Sequence, residues 1–228
     1  MASRYRFYQW SASAKQFLIL RRRLEAEGFS EDTGRGVRLT KASSAMIEGR
    51  YVQRFMYEEE EFSPNGLTST VERMGFVITK FSLRPTPCGL VIIDPSRSIG
   101  DFVMFISGLL DHDLSVQVPH LNLIRLKRFI QSELGRCQVK SVKIAGAQLA
   151  ENVVADIAVS DQFDALERAL KLYPQHKACI GKIEMALPDS PGEKTRLTAT
   201  RTASISTTLP QKCLESIWRA VERSCEPS

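Results

Sequence analysis

A chain of 228 residues with 43% hydrophobic and 25% charged residues has the composition of an ordinary packed protein, which excludes a disordered or fibrous one. No apolar run approaches the roughly 20 residues that span a bilayer, and Tyr-Arg-Phe-Tyr-Gln-Trp stands where a secretory signal would need a clean apolar region, so no membrane is expected and the cytoplasm is the default compartment. The net charge of +5 is banded along the chain, at +6 over residues 1–57, −5 over 58–120, +5 over 121–149, −3 over 150–176 and +2 over 177–228.

Residues 4–10 alternate as a strand, with Arg4, Arg6, Tyr8 and Trp10 on one face and Tyr5, Phe7 and Gln9 on the other. Ser13 and Gln16 have the spacing of a capping box, and Phe17, Leu20 and Leu24 recur at helical spacing up to Gly28, which predicts a helix over 14–27. On that helix Arg22 lies well away from the apolar stripe, flanked by Arg21 and Arg23. From Gly36 to Asp94 the pattern is an antiparallel meander: strands at 37–40, 51–58, 69–83 and 88–93, joined by Ser63-Pro64-Asn65-Gly66 and Arg84-Pro85-Thr86-Pro87. Ser98 is the expected cap of a Phe-rich helix running to Leu110 and lying across that sheet.

A short strand follows at 114–118, and Asn122 caps a helix to Leu134-Gly135 whose polar face carries Arg125, Lys127 and Arg128. Strands are expected at 137–145 and 153–159, a helix at 161–173 stopped by Pro174, a hairpin of 179–187 and 194–201 with its tip at 188–193, a short strand near Ile205 and a last helix over 210–223. Strand runs followed by helices occur twice. The predicted class is therefore α+β, with antiparallel sheets packed by helices in two lobes, 1–113 and 114–228.

No catalytic signature stands on its own. Glu58 to Glu61 is the densest anionic run, but on an extended chain successive side chains point to opposite sides and cannot converge on one ion; a solvated strand end is expected. Asp94-Pro95-Ser96-Arg97-Ser98 lacks the glycine spacing of a phosphate loop, and Asp111-His112-Asp113 with His120 reads as a hydrophilic connector. Five cysteines scattered singly, without a CxxC pair, are expected to be reduced structural thiols, and with three histidines no metal or other cofactor is expected.

The cations remain. Arg4 and Arg6 beside Tyr8 and Trp10, the triplet Arg21, Arg22 and Arg23, and Arg125, Lys127 and Arg128 are the candidate nucleic-acid-binding residues; Lys194, Arg196 and Arg201 add charge to the last hairpin. The function expected is a non-catalytic nucleic-acid-binding or assembly subunit, of a kind that would suit a bacterial or phage accessory protein in genome maintenance or anti-phage defence. The alternatives are an oligomerising protein-interaction scaffold, motivated by the Phe-rich helix and the N-terminal aromatics, and a metal-dependent nuclease or hydrolase with a non-standard site at Asp94 or in the 111–120 segment.

Overall fold

The computed structural model describes residues 2–62, 65–66, 68–95, 99–187, 195–210 and 213–225. The elements in chain order are β1 (Ser3–Trp10), α1 (Ala14–Ala26), β2 (Arg35–Ala42), β3 (Ile47–Phe62), β4 (Thr68–Leu83), β5 (Leu90–Ile93), α2 (Gly100–Gly108), β6 (Val116–Gln117), α3 (Leu123–Leu134), β7 (Gln138–Ala150), β8 (Val153–Ser160), α4 (Ala165–Leu172), a 3-10 segment Pro174–Cys179, β9 (Ile180–Leu187), β10 (Thr195–Thr200), β11 (Ser204–Thr207) and α5 (Leu214–Ser224). The protein is α+β. The expected cap at Ser98 and the hairpin tip at 188–193 lie outside the described residues.

The chain divides into two compact units, one made of Met1–Trp10 with Val116–Ser228 and the other of Ser11–Ser115. We call them the split unit and the inserted unit. The sequence places a boundary after residue 113; the contacts divide the chain after Ser115 and after Trp10, because β1 pairs with β11 over residues 3–6, Tyr5 opposite Ile205, and with β6 at Gln9 and Trp10. A pairing across 200 residues leaves no local signal.

In the inserted unit, β2, β3, β4 and β5 form an antiparallel sheet in that order. Helix α1 starts at the anticipated capping box, with the Gln16 amide donating to Ser13 Oγ and the Ser13 amide to Gln16 Oε1, and it buries Phe17, Leu20 and Leu24. Helix α2 lies on the sheet through an aromatic cluster: Phe102 stacks on Phe81 at 4.7 Å and Phe105 meets Tyr51 at 4.9 Å between ring centroids. Gly36 lets β2 pass against the turn after α1, where a Cβ would stand 2.3 Å from the Phe29 Cα. That neighbour is backbone and cannot swing aside. Gly36→Ala is expected to destabilise by about 3 kcal/mol, the upper end for overpacking, measured as a fall in the urea midpoint; Gly28→Ala, with nothing within 4 Å of its Cβ, should leave the midpoint nearly unchanged.

In the split unit the sheet order is β1-β11-β10-β9-β7-β8, again antiparallel, with β6 pairing the end of β1. Period-2 alternation sends Phe7, Ile205, Ala199, Ile183 and Val142 to one face, all buried. Helix α5 packs there, Trp218 meeting Phe7 edge-on at 5.8 Å; α3 packs beside α5. Asn122 caps α3 by accepting from the Arg125 amide, and Gly135 ends it at φ 87°, as the sequence leads one to expect. Cys137, Cys179 and Cys213 are free thiols, as expected.

Candidate nucleic-acid interface

The second face of the split unit's sheet is polar. Strand registers align Arg4, Ser206, Thr198, Glu184, Ser141 and Ser160 in one row across the sheet. Arg6 and Ser204 begin the next row, and Lys182 and Lys143 face each other farther along it, while Arg196 stands opposite Ala186 on a third. None of these side chains is buried, in contrast to their neighbours one residue away. The cause is compositional: β9, β10 and β11 each alternate apolar with Ser, Thr or charge, so that a single face can join the core.

Positive charge dominates this face. Arg4, Arg6, Arg196, Lys143 and Lys182 lie on it against the carboxylates of Asp156 and Glu184, with Lys143 Nζ 2.7 Å from Asp156 and Lys182 Nζ 2.8 Å from Glu184. The lysine and the Gly146 amide, both donating to Asp156, hold its carboxyl below the usual carboxylate range. Hydroxyls of Ser204, Ser206, Thr198 and Ser141 stand between the cations. Arginines with interspersed hydroxyls suit phosphate and sugar oxygens, which position a nucleic acid without reading its sequence.

The ten residues expected from the sequence do not gather into one surface. Arg4 is exposed and Arg6 half-buried on the polar face, the guanidinium of Arg6 lying 5.5 Å from the Tyr8 ring centroid. Tyr8 and Trp10 are only 5% and 4% exposed. A buried ring cannot stack on a base, so these two leave the candidate set; burial also pushes the Tyr8 hydroxyl pKa upward, with Arg6 opposing. Strand alternation assigns them to the face of Arg4 and Arg6, but sharing a face with an exposed arginine does not make a ring accessible.

In the triplet, Arg21 lies 3.7 Å from Glu25 one turn on, and Arg23 donates to the Leu109 carbonyl and to Asp111 beyond the end of α2, a structural clasp. Arg22 is exposed on α1. On α3, Lys127 sits 3.5 Å from Asp164, the N-cap of α4, while Arg125 and Arg128 are exposed. Helix α3 belongs to the layer on the apolar side of the sheet. Arg125 and Arg128 are thus on the opposite side of the unit from Arg4 and Arg6, and one ligand backbone cannot run straight across all four.

Sequence reasoning missed Lys143, Lys182 and the hydroxyl rows; the signal available for the hydroxyls was the alternation of Leu197 and Ala199 with Arg196, Thr198 and Thr200, and of Ile205 with Ser204 and Ser206. Lys194 lies outside the described residues, and Arg201 is tied to the Ala178 carbonyl at 2.8 Å.

Compared with known proteins, the sequence matches no family model and no curated protein.

The other candidate chemistry has structural employment. Asp111 is held by Arg23, Asp113 accepts from Gln16 Nε2 at 2.8 Å, and His112 between them is exposed. Asp94 lies 4.0 Å from Lys80. Glu59 and Glu61 share one face of β3 and both pair with Arg73 across on β4, whereas Glu58 and Glu60 face the other way, as alternation requires. Among the described residues no three His, Cys, Asp or Glu side chains converge as a metal-binding set, and no helix is long and apolar enough to cross a membrane.

A cavity of about 590 Å³ in the split unit is bordered by Lys127, Gln131, Arg136, Cys137 and Asp164. Burial pushes the Cys137 thiol pKa above its usual value, against the pull of Lys127. The thiolate, which is the nucleophile, is therefore scarce at neutral pH. Alkylation of Cys137 by iodoacetamide, followed by peptide mass spectrometry, is expected to be slower at pH 7.5 in the native protein than in urea, and to keep rising past pH 9.

Proposed function

We propose that the protein is a non-catalytic nucleic-acid-binding subunit that holds a sugar-phosphate backbone on the polar face of the split unit's sheet. The observation that supports this reading is the register: Arg4, Arg6 and Arg196 share one face with rows of hydroxyls, and none of these residues is buried, while α3 and α5 lie on the other face. Tyr8 and Trp10 are buried, so stacking by them contributes nothing. Binding is accordingly expected to be insensitive to sequence and steeply dependent on salt.

Fluorescence anisotropy with 25-nucleotide single-stranded and duplex probes of DNA and RNA tests it. With about five phosphates engaged, affinity should fall roughly 10²–10³-fold between 50 and 200 mM salt. Equal, negligible retention of every probe at 20 mM salt would remove the reading.

A further inference from the structure

The hairpin of β3 and β4 outruns its neighbours. Its register is continuous from Ile47 opposite Leu83 to Phe62 opposite Thr68, but β2 accompanies β3 only to Gln53 and β5 accompanies β4 only to Lys80. About nine residues of each strand, or some 30 Å at 3.3 Å per residue, project as a two-stranded arm. Isolated ribbons of this kind are marginal in water. This one also exposes a large apolar surface: Met56 is 53%, Met74 54%, Phe76 50% and Ile78 53% exposed.

These four residues share one face. Pairing of Arg54 with Phe76, Met56 with Met74 and Glu58 with Glu72 fixes the phase, and the same face continues to Glu60 at the tip and to Val52, Arg50 and Lys80 at the base. Along that face, charge changes sign. Cations Arg50 and Lys80 stand at the base, Lys80 lying 4.0 Å from Asp94. The central band is apolar except for Arg54, which Glu31 pairs at 3.6 Å, and Phe29 of the same chain packs on Phe76 there. Glu58, Glu60 and Glu72 stand near the tip, with exposed Phe62 beyond them. The opposite face has no such gradient, because Arg73 neutralises Glu59 and Glu61 there.

We propose that the occupant of this face is the same face of a second copy of the chain, the two arms packed face to face and antiparallel about a two-fold axis. That arrangement lays Met56, Met74 and Phe76 of both copies on the axis and brings the carboxylate end of each arm over the cationic end of the other. A parallel arrangement would set glutamates against glutamates. An isologous interface requires a self-complementary patch, and a cation–apolar–anion gradient read in opposite directions is one. The face is two strands wide, at the small end of stable interfaces, so the dimer is concentration-dependent.

Sedimentation velocity on the full chain tests this. The weight-average mass should rise from the 25.6 kDa monomer toward twice that value between about 1 and 300 µM, the weak end of affinities that small interfaces give. Met56→Glu, on an exposed site, should abolish the rise with an unchanged circular dichroism spectrum. Glu60→Arg and Arg50→Glu should each weaken dimerisation at least tenfold, and the double variant should recover most of the loss. A wild-type monomer throughout the range would overturn the proposal, as would a dimer indifferent to Met56→Glu. A double variant no better than the singles would overturn the antiparallel arrangement.

Discussion

Trp218→Ala is expected to destabilise the protein by about 3–5 kcal/mol, the range for deleting a buried tryptophan. The indole is fully buried and meets Phe7 edge-on at 5.8 Å, the geometry in which a ring's positive edge faces a negative ring face. Residue 218 therefore joins α5 to β1, the two ends of the sequence. Against a typical total stability of about 5–15 kcal/mol, the loss is a fifth or more. Urea unfolding followed by circular dichroism reads it, since Trp10 would confuse fluorescence. Trp218→Phe, which keeps part of the volume, should cost clearly less; a Trp218→Ala loss below about 1 kcal/mol would mean that the site collapses around the cavity.

The second large effect concerns the polar face. In the triple variant Arg4→Gln, Arg6→Gln, Arg196→Gln the slope of log affinity against log salt should become shallower by about 2–3, close to 0.9 for each duplex phosphate that is no longer neutralised. Affinity at 50 mM salt should drop on the order of 10²-fold or more, with only a modest fall in thermal stability, since Arg4 and Arg196 are exposed and Arg6 alone is half-buried, against Tyr8. Arg125→Gln with Arg128→Gln, on the opposite side of the unit, is the matched control and should leave the slope within about 0.5 of wild type. If the control removes more slope than the triple variant, the helical layer and not the sheet engages the phosphates.

Local signals in the sequence are reliable: the Ser13–Gln16 box, the Asn122 cap, the Gly135 stop and the stripe Phe17, Leu20, Leu24 all depend on neighbours within one or two helical turns, and all appear in the structure. Long-range partners are not legible. Nothing near Tyr5 indicates that Ile205 lies beside it, so Tyr8 and Trp10 read as surface aromatics although they are buried. For the same reason the Phe-rich helix suggests a docking surface, whereas Phe102 and Phe105 close the core over Tyr51.

The exposed apolar residues are instead on β3 and β4. Whether Met56 and Phe76 are covered depends on how far β2 and β5 extend beside them, and strand lengths elsewhere in the chain decide that. The acidic run is legible in its alternation but not in its setting: Glu58 and Glu60 end an apolar face, while Glu59 and Glu61 are clasped by Arg73.

The placement of β1 has a consequence for how the chain is made. Residues 3 to 6 of β1 pair with residues 204 to 207, so these partners are synthesised about 200 residues after them. At about 5–20 residues per second, Tyr5 and Phe7 wait roughly 10–40 s for their neighbours, while the inserted unit already has its own strands and helices in hand. The β1–β11 pairing of the split unit then forms after the inserted unit has its strands and helices.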